Sequence, residues 1–181
     1  MRIIGGEHKG RQIVPPRNFA ARPTTDFAKE GLFNTLQNTY DFEEIAVLDL
    51  FSGTGGISLE FSSRGCPAIT AVEMNIVHAN FIKNTAASLK ITGLHVVRHN
   101  VFDFLNLCRI KYDIVFADPP YDIDNLKSIP DKVLSSFVLK EEGLLIFEHP
   151  AAHSFAKHPR FLKEKKYGNV HFSFFTMEKS Q

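Results

Sequence analysis

The sequence predicts an α/β protein of Rossmann-like architecture, a mostly parallel sheet with helices on both faces. Three observations lead there. Short apolar runs recur at residues 46–51, 68–73, 95–101, 112–117 and 143–148. Helix-patterned segments separate them, an alternation that belongs to parallel strands buried on both faces. A glycine turn, Gly53-Thr54-Gly55-Gly56, follows the first run and opens a helix, where such sheets bind nucleosides.

The elements follow in order. Residues 1–23 are rich in Gly, Pro and Arg and read as a basic arm, irregular or short-stranded; residues 24–181 read as a single domain. Residues 25–40 form a helix that Thr25 or Asp26 caps, with Glu30 near the first turn and Phe33, Leu36 and Tyr40 on one face. The helix after the glycine turn ends near Gly65. The next, from Asn75, carries Val77, Phe81 and Leu89 near one stripe and stops at Gly93. A short helix spans 102–109, and another starts after Pro130 with Val133, Leu134 and Phe137 apolar. The tail differs: two β-type runs, 161–167 and 170–177, flank Gly168-Asn169, so an antiparallel hairpin completes a seven-stranded sheet.

Composition sets the outer limits. With 181 residues, 44% hydrophobic and 23% charged, the chain can build one α/β core and is not disordered as a whole. No apolar run approaches the roughly 20 residues of a membrane span, and the opening MRIIGGEHKGR lacks a secretory pattern. Cys66 and Cys108 lie in apolar helical stretches and read as buried free thiols. Together these predict a cytoplasmic protein. A net charge of +1 conceals two basic ends. Arg2, Lys9, Arg11, Arg17 and Arg22 precede Thr24 against Glu7 alone; Lys157, Arg160, Lys163, Lys165 and Lys166 face Glu164. Such ends make a local phosphate-binding surface or, equally, a solvated basic edge.

The run Asp49-Leu50-Phe51-Ser52-Gly53-Thr54-Gly55 lets backbone amides approach a ligand without a Cβ between. Glu73, 24 residues after Asp49, ends the next strand beside Met74, where a carboxylate accepts from ribose hydroxyls. A dinucleotide oxidoreductase is the rival. Two details lean away from it: Ser58 stands where the third glycine belongs, and Asp49 would repel a pyrophosphate. An acid there suits the cationic amino group of S-adenosylmethionine. Asn100-Val101, read as the end of the third strand, is placed to read an adenine edge, or is a plain strand end.

Asp118-Pro119-Pro120-Tyr121 directly follows the strand YDIVFA. An exocyclic amino nitrogen is a poor nucleophile because its lone pair is delocalised into the ring. The Asp118 carboxylate and the Pro119 carbonyl can both accept from it, making it more tetrahedral. The prolines stiffen the turn, and Tyr121 can stack on a base brought out of its helix. The run does not choose among adenine N6, guanine N2, cytosine N4 or a glutamine amide. His149 and His153, like His95 and His99, are four apart, but no acidic or cysteine partner completes a metal set in sequence. They read as surface or strand-end histidines, and no metal is required.

The chain resembles the bacterial RsmD family of 16S rRNA guanine-N2 methyltransferases. Four stretches carry the resemblance: Arg2-Ile3-Ile4-Gly5-Gly6 with Lys9-Gly10-Arg11; Arg22-Pro23-Thr24-Thr25-Asp26 with Glu30-Gly31-Leu32-Phe33-Asn34; Leu48 to Gly55; and Asp118 to Tyr121. The resemblance implies a monomer that uses S-adenosylmethionine on 16S rRNA in the small subunit or an assembly intermediate. It also implies a basic arm against RNA, and Thr24 and Thr25 near the cofactor. Phe27-Ala28-Lys29 departs from the family, which is more basic there. The rival functions are a DNA adenine methyltransferase and a non-catalytic cofactor-binding RNA module.

Overall fold

The computed structural model describes residues 1–16, 19 and 24–177. Five parallel strands and an antiparallel hairpin form one sheet: β1 (Ala46–Leu50), β2 (Ala68–Val72), β3 (Leu94–Val97), β4 (Tyr112–Ala117), β5 (Leu139–Pro150), β6 (Phe161–Tyr167) and β7 (Val170–Thr176). Their order is β3-β2-β1-β4-β5-β7-β6, and β7 runs antiparallel to both of its neighbours, β5 and β6. The chain reverses its march across the sheet between β1 and β4, so their carboxyl ends flank the crevice where ligands bind in such folds.

Among the described residues five α-helices cover the sheet: α1 (Asp26–Leu36), α2 (Gly56–Ser63), α3 (Ile76–Ser88), α4 (Val101–Leu107) and α5 (Ile129–Leu134). Alternation along each strand divides the core. Val47, Ile114, Phe116, Leu144 and Ile146 pack with α1 and α2 through Ala28, Leu32, Phe33, Ile57 and Phe61. Leu48, Leu50, Val115, Leu145 and Phe147 pack with α4 and α5 through Leu105, Ile129 and Val133. Each fully buried side chain of this size contributes about 1.5–3 kcal/mol.

Residues 1–13 fold back as an irregular hairpin closed by a bridge between Arg2 and Gln12. Ile3 and Ile13 bury themselves against Leu59 of α2. The hairpin is pinned by Glu60, fully buried, whose carboxylate accepts from the Ile4 and Gly5 amides (2.8 Å each) and from Arg64 Nε (2.9 Å). Lys29 of α1, equally buried, lies 3.4 Å from the same carboxylate.

Several boundaries differ from expectation, each for a local reason. α1 stops at Leu36, and Thr25 is its cap, accepting from the Ala28 amide at 3.2 Å. α3 buries Ala79, Ile82 and Ala86 while Val77 is exposed; it ends at Ser88, where Lys90 takes a positive φ, and not at Gly93. β3 is short because Asn100 caps α4, its side chain accepting from Phe102 and Asp103. β5 begins before 143, because Lys140-Glu141-Glu142 interrupts the apolar run without ending the strand; Lys140 ion-pairs with Asp113 at 2.8 Å. Cys66 is buried but follows α2, and Cys108, the α4 cap, is only partly buried.

Candidate active site

The glycine loop rests on strain accepted at the end of β1. Phe51 has φ +59°, a region costly for a residue with a Cβ. Gly53 and Gly55 follow at +53° and +74°. A Cβ on Gly55 would stand 2.9 Å from Ile82 of α3, so glycine is required by both conformation and space. The Ser52 amide donates to Val72 and its hydroxyl to the Asp49 carbonyl, which ties the loop to two strand ends.

Two carboxylates hold this loop. Asp49 is buried, and its Oδ2 accepts from the Ser58 amide (3.2 Å) and hydroxyl (2.5 Å). Burial nevertheless pushes its carboxyl up to about 7. Glu73 follows β2; its Oε2 accepts from the Gly53 amide (2.8 Å) and its Oε1 from the Asn75 amide (2.7 Å). Met74, 63% exposed, lies with its sulfur 4.0 Å from Asn100 Nδ2, so the loops after β2 and β3 meet here. Phe51, Ser52, Gly53, Gly55, Glu73, Met74 and Asn100 therefore line one edge.

That edge fits S-adenosylmethionine by chemistry. A cation beside the loop offsets the burial that raises Asp49, a ribose suits the Glu73 carboxylate, and the exposed Met74 offers an apolar face to a purine. Val101 does not join this set through its side chain. It is the first residue of α4, its side chain buried in the core beside Leu105. The Thr25 hydroxyl caps α1 by accepting from the Ala28 amide. Thr24 turns to the other half of the site.

The second half lies at the ends of β4 and β5. The Asp118 amide continues the ladder to the Leu50 carbonyl at 3.5 Å. Pro119 is buried, Pro120 is exposed, and Tyr121 is 44% exposed at the rim. The β4–β5 register pairs Ala117 with Phe147, so its next step sets Asp118 beside Glu148 on the α1 side of the sheet. Glu148 is buried; it accepts from the Thr24 hydroxyl at 2.9 Å and from the Tyr121 hydroxyl at 3.3 Å. Burial first, then Glu148 and then Asp49, hold the Asp118 carboxyl well above the usual carboxylate range. Glu148 is absent from the residues expected on sequence. Its only signal there is an acid at the carboxyl end of an apolar strand, the position Glu73 occupies after β2.

The remaining candidates lie elsewhere. Arg2 pairs with Asp26 at 3.3 Å. Lys9 and Arg11 line a groove of about 690 Å³ with Pro67 and Gly93, residues that precede β2 and β3. The groove is therefore at the opposite end of the strands from Asp118. Arg17 and Arg22 lie outside the described residues. Lys163, Lys165 and Lys166 stud the outer strand β6, which discourages edge-to-edge pairing.

The histidine expectation is corrected for position 149. His149 is buried, and folding brings it two partners, Glu164 and His171, with ligand atoms all within 4.8 Å. His171 Nδ1 meets Glu164 Oε1 at 2.9 Å, while His149 Nε2 bonds Ser173 Oγ at 2.8 Å and lies 3.8 Å from the same Glu164 oxygen. Burial lowers the His149 pKa. His153 Nδ1 is buried with no hydrogen-bond partner among the described residues.

The family model described as "Conserved hypothetical protein 95" matches residues 1–176. Ribosomal RNA small subunit methyltransferase D of Buchnera aphidicola subsp. Baizongia pistaciae is 31% identical, the match covering 97% of this chain and 91% of that protein. Its namesake in Escherichia coli K12 is 36% identical, over 82% of this chain and 74% of that protein. The solved structure of a putative methyltransferase, yhhF, from Escherichia coli superposes with a TM-score of 0.83 at 30% identity, covering 99% of each chain. Matched by its family model over nearly its whole length and by these relatives, the chain belongs to the RsmD family.

Proposed function

We propose that the chain methylates the exocyclic N2 of a guanine in 16S rRNA, within the small subunit or an assembly intermediate. It acts as a cytoplasmic monomer that needs no metal. Membership of a family whose relatives bear the name of small-subunit rRNA methyltransferases supports the substrate class. One observation carries the chemistry: the acceptor pair Asp118–Pro119 and the glycine loop leave neighbouring strands at the same edge, joined by the Asp118 amide on the Leu50 carbonyl.

S-adenosylmethionine, when bound, supplies a sulfonium whose methyl group is open to in-line attack by nitrogen. The glycine loop, Asp49 and Glu73 orient the donor. Asp118 and the Pro119 carbonyl each accept one amino hydrogen, which aims the nitrogen lone pair at the methyl carbon. Tyr121 offers its ring to the base face, worth about 1–3 kcal/mol. As the N–C bond forms, the C–S pair returns to sulfur, and the nitrogen sheds one proton through Asp118 to solvent. Proximity and orientation are the main source of rate. Because only an ionised Asp118 can take the proton the nitrogen sheds, activity rises with pH through a limb above the ordinary carboxylate range.

The test is to incubate the protein and radiolabelled S-adenosylmethionine with unmodified small subunits, naked 16S rRNA and duplex DNA, then to identify the methylated nucleoside. N2-methylguanosine from the ribosomal substrate is expected. Methyladenine in DNA, or no transfer despite cofactor binding, overturns the assignment.

A further inference from the structure

We infer that His149, His171 and Glu164 bind a divalent transition-metal ion of the zinc type, which ties the β6–β7 hairpin to β5. The site is separate from the methyl-transfer reaction proposed above, which uses no metal. The ion holds the fold and takes no part in the chemistry.

Strand register gathers the three side chains on one face. His149 of β5 pairs with His171 of β7, and Glu164 of β6 pairs with Ser173, two residues further along β7. Paired residues, and residues two apart on one strand, point to the same side of a sheet. That side is the one of Phe147 and Phe175, which packs with α4 and α5. Glu148 points to the other side, with its β7 partner Phe172. Three strands thus contribute one ligand each, and the ligand atoms lie within 4.8 Å of one another. His171 Nδ1 and His149 Nε2 stand 2.9 and 3.8 Å from the same Glu164 oxygen. Zinc bonds of about 2.1 Å set tetrahedral neighbours about 3.4 Å apart, between those two distances.

The surroundings orient these atoms for a cation. His149 Nδ1 lies 3.1 Å from the Pro150 carbonyl. A carbonyl can only accept, so Nδ1 carries the hydrogen, and the neutral ring keeps its lone pair on Nε2. A carbonyl on the far nitrogen is the usual support of a metal-binding imidazole. The Ser173 hydroxyl meets Nε2 at 2.8 Å; a serine turns readily to another staggered position and yields that lone pair. Lys166 takes the other Glu164 oxygen, Oε2, at 3.3 Å, which leaves Oε1 toward the rings. Without an ion, His171 Nδ1–H donates to Oε1. With one, Nδ1 binds the metal and the ring carries its hydrogen on Nε2.

Hydrogen bonding alone does not account for the arrangement. His149 is fully buried against the Phe147 and Phe155 rings, where an apolar side chain would pack at less cost. Its Nε2 lone pair and the Glu164 carboxylate are two acceptors 3.8 Å apart, which repel unless a cation lies between them. A second buried nitrogen stands close by. His153, in the turn after β5, is near enough for its charge to act on His149, and its Nδ1 has no hydrogen-bond partner among the described residues. Two imidazoles and one carboxylate suit zinc, whereas magnesium and calcium prefer all-oxygen sites. The ion cross-links β5, β7 and β6, the last of which is the edge strand of the sheet. Its binding free energy therefore adds to the stability of the fold.

The test uses the full chain without a polyhistidine tag, stripped with a chelator and then titrated with zinc chloride. One zinc ion per chain is expected, with micromolar or tighter affinity. At a hundredfold excess of free zinc over Kd, the melting midpoint should rise by about 5–10 °C. X-ray absorption of the zinc-loaded protein should show two imidazoles and no sulfur, and cobalt(II) in its place should give the intense visible bands of a four-coordinate ion. Glu164→Gln and His171→Gln should each weaken zinc binding by about 100-fold or more. Their midpoints in chelator should stay within about 3 °C of wild type, which separates a lost ligand from a damaged fold. No stoichiometric zinc binding by the wild-type chain overturns the inference, as does sulfur among the ligands or full affinity in both variants. The wild-type titration and X-ray absorption decide the matter even where a variant fails to fold. None of these readouts depends on methyl transfer.

Discussion

The two halves of the candidate site use paired carboxylates in opposite ways. On the glycine-loop side, Asp49 and Glu73 are held by donors from their own neighbourhood: Ser58, Gly53 and Asn75. On the reacting side, Asp118 and Glu148 stand side by side, and the donors on Glu148 include Thr24, 124 residues away in sequence. The first half is assembled by one βαβ unit. The second depends on β4, β5 and the approach to α1 arriving together. The first half is thus set by local donors, whereas the second depends on a donor brought from far along the chain.

The comparison is broken most severely at Asp118. Asp118→Ala removes an acceptor of the amino group and is expected to lower methyl transfer by about 10²–10³-fold. Cofactor affinity, measured by calorimetry, stays within about threefold. The converse change is Asp49→Asn, expected to weaken cofactor binding about tenfold or more while sparing transfer at saturating cofactor.

Asp49 also predicts a pH dependence of stability. Its carboxyl is raised from 3.8 to about 7 in the fold, so between about pH 4 and pH 7 the folded state binds more protons than the unfolded state. Cofactor-free stability should therefore fall as pH rises through that window. Asp49→Asn should flatten the dependence, read from denaturant melts at several pH values.

A smaller effect comes from Gly31, in the middle of α1. A Cβ there would meet the Tyr167 ring at 2.1 Å. Gly31→Ala should cost about 1–3 kcal/mol by overpacking and loosen Thr24 from Glu148. Transfer to rRNA would fall while cofactor affinity holds; an equal loss of both would deny the separation of the halves. Removing one of two neighbouring like charges, as in Glu148→Gln, should move the acid limb of the pH–rate profile to lower pH. Smallest of all, Lys9→Ala with Arg11→Ala should reduce the salt dependence of RNA binding, the slope falling by about 1 for each phosphate that is no longer neutralised. An unchanged slope would make the groove at the far edge a solvated surface.

Much of the fold was legible because local physics sufficed. Runs such as VLDL and YDIVFA are apolar enough to declare buried strands, and Gly168-Asn169 between β-type runs declares a hairpin. Boundaries failed where a polar side chain did unexpected backbone work. Asn100 looked like a strand end but caps α4, and the fifth strand, expected from residue 143, begins at Leu139 and includes Lys140-Glu141-Glu142. The glycine loop and Asp118–Tyr121 were legible because each is contiguous and requires unusual residues. His149 stands at a strand end as expected, but its partners Glu164 and His171 were not legible because they reach it only across the sheet.

By itself the sequence determined which segments are strands and helices, that the glycine loop and the Asp118 run occupy strand ends, and which family the chain resembles. These follow from periodicity and short motifs, which depend on neighbours a few residues apart. Tertiary structure alone decided that Glu148 stands beside Asp118, that Thr24 serves Glu148, and that Lys9 and Arg11 lie at the far edge. Those relations depend on strand order and register, which long-range packing settles and no local pattern records.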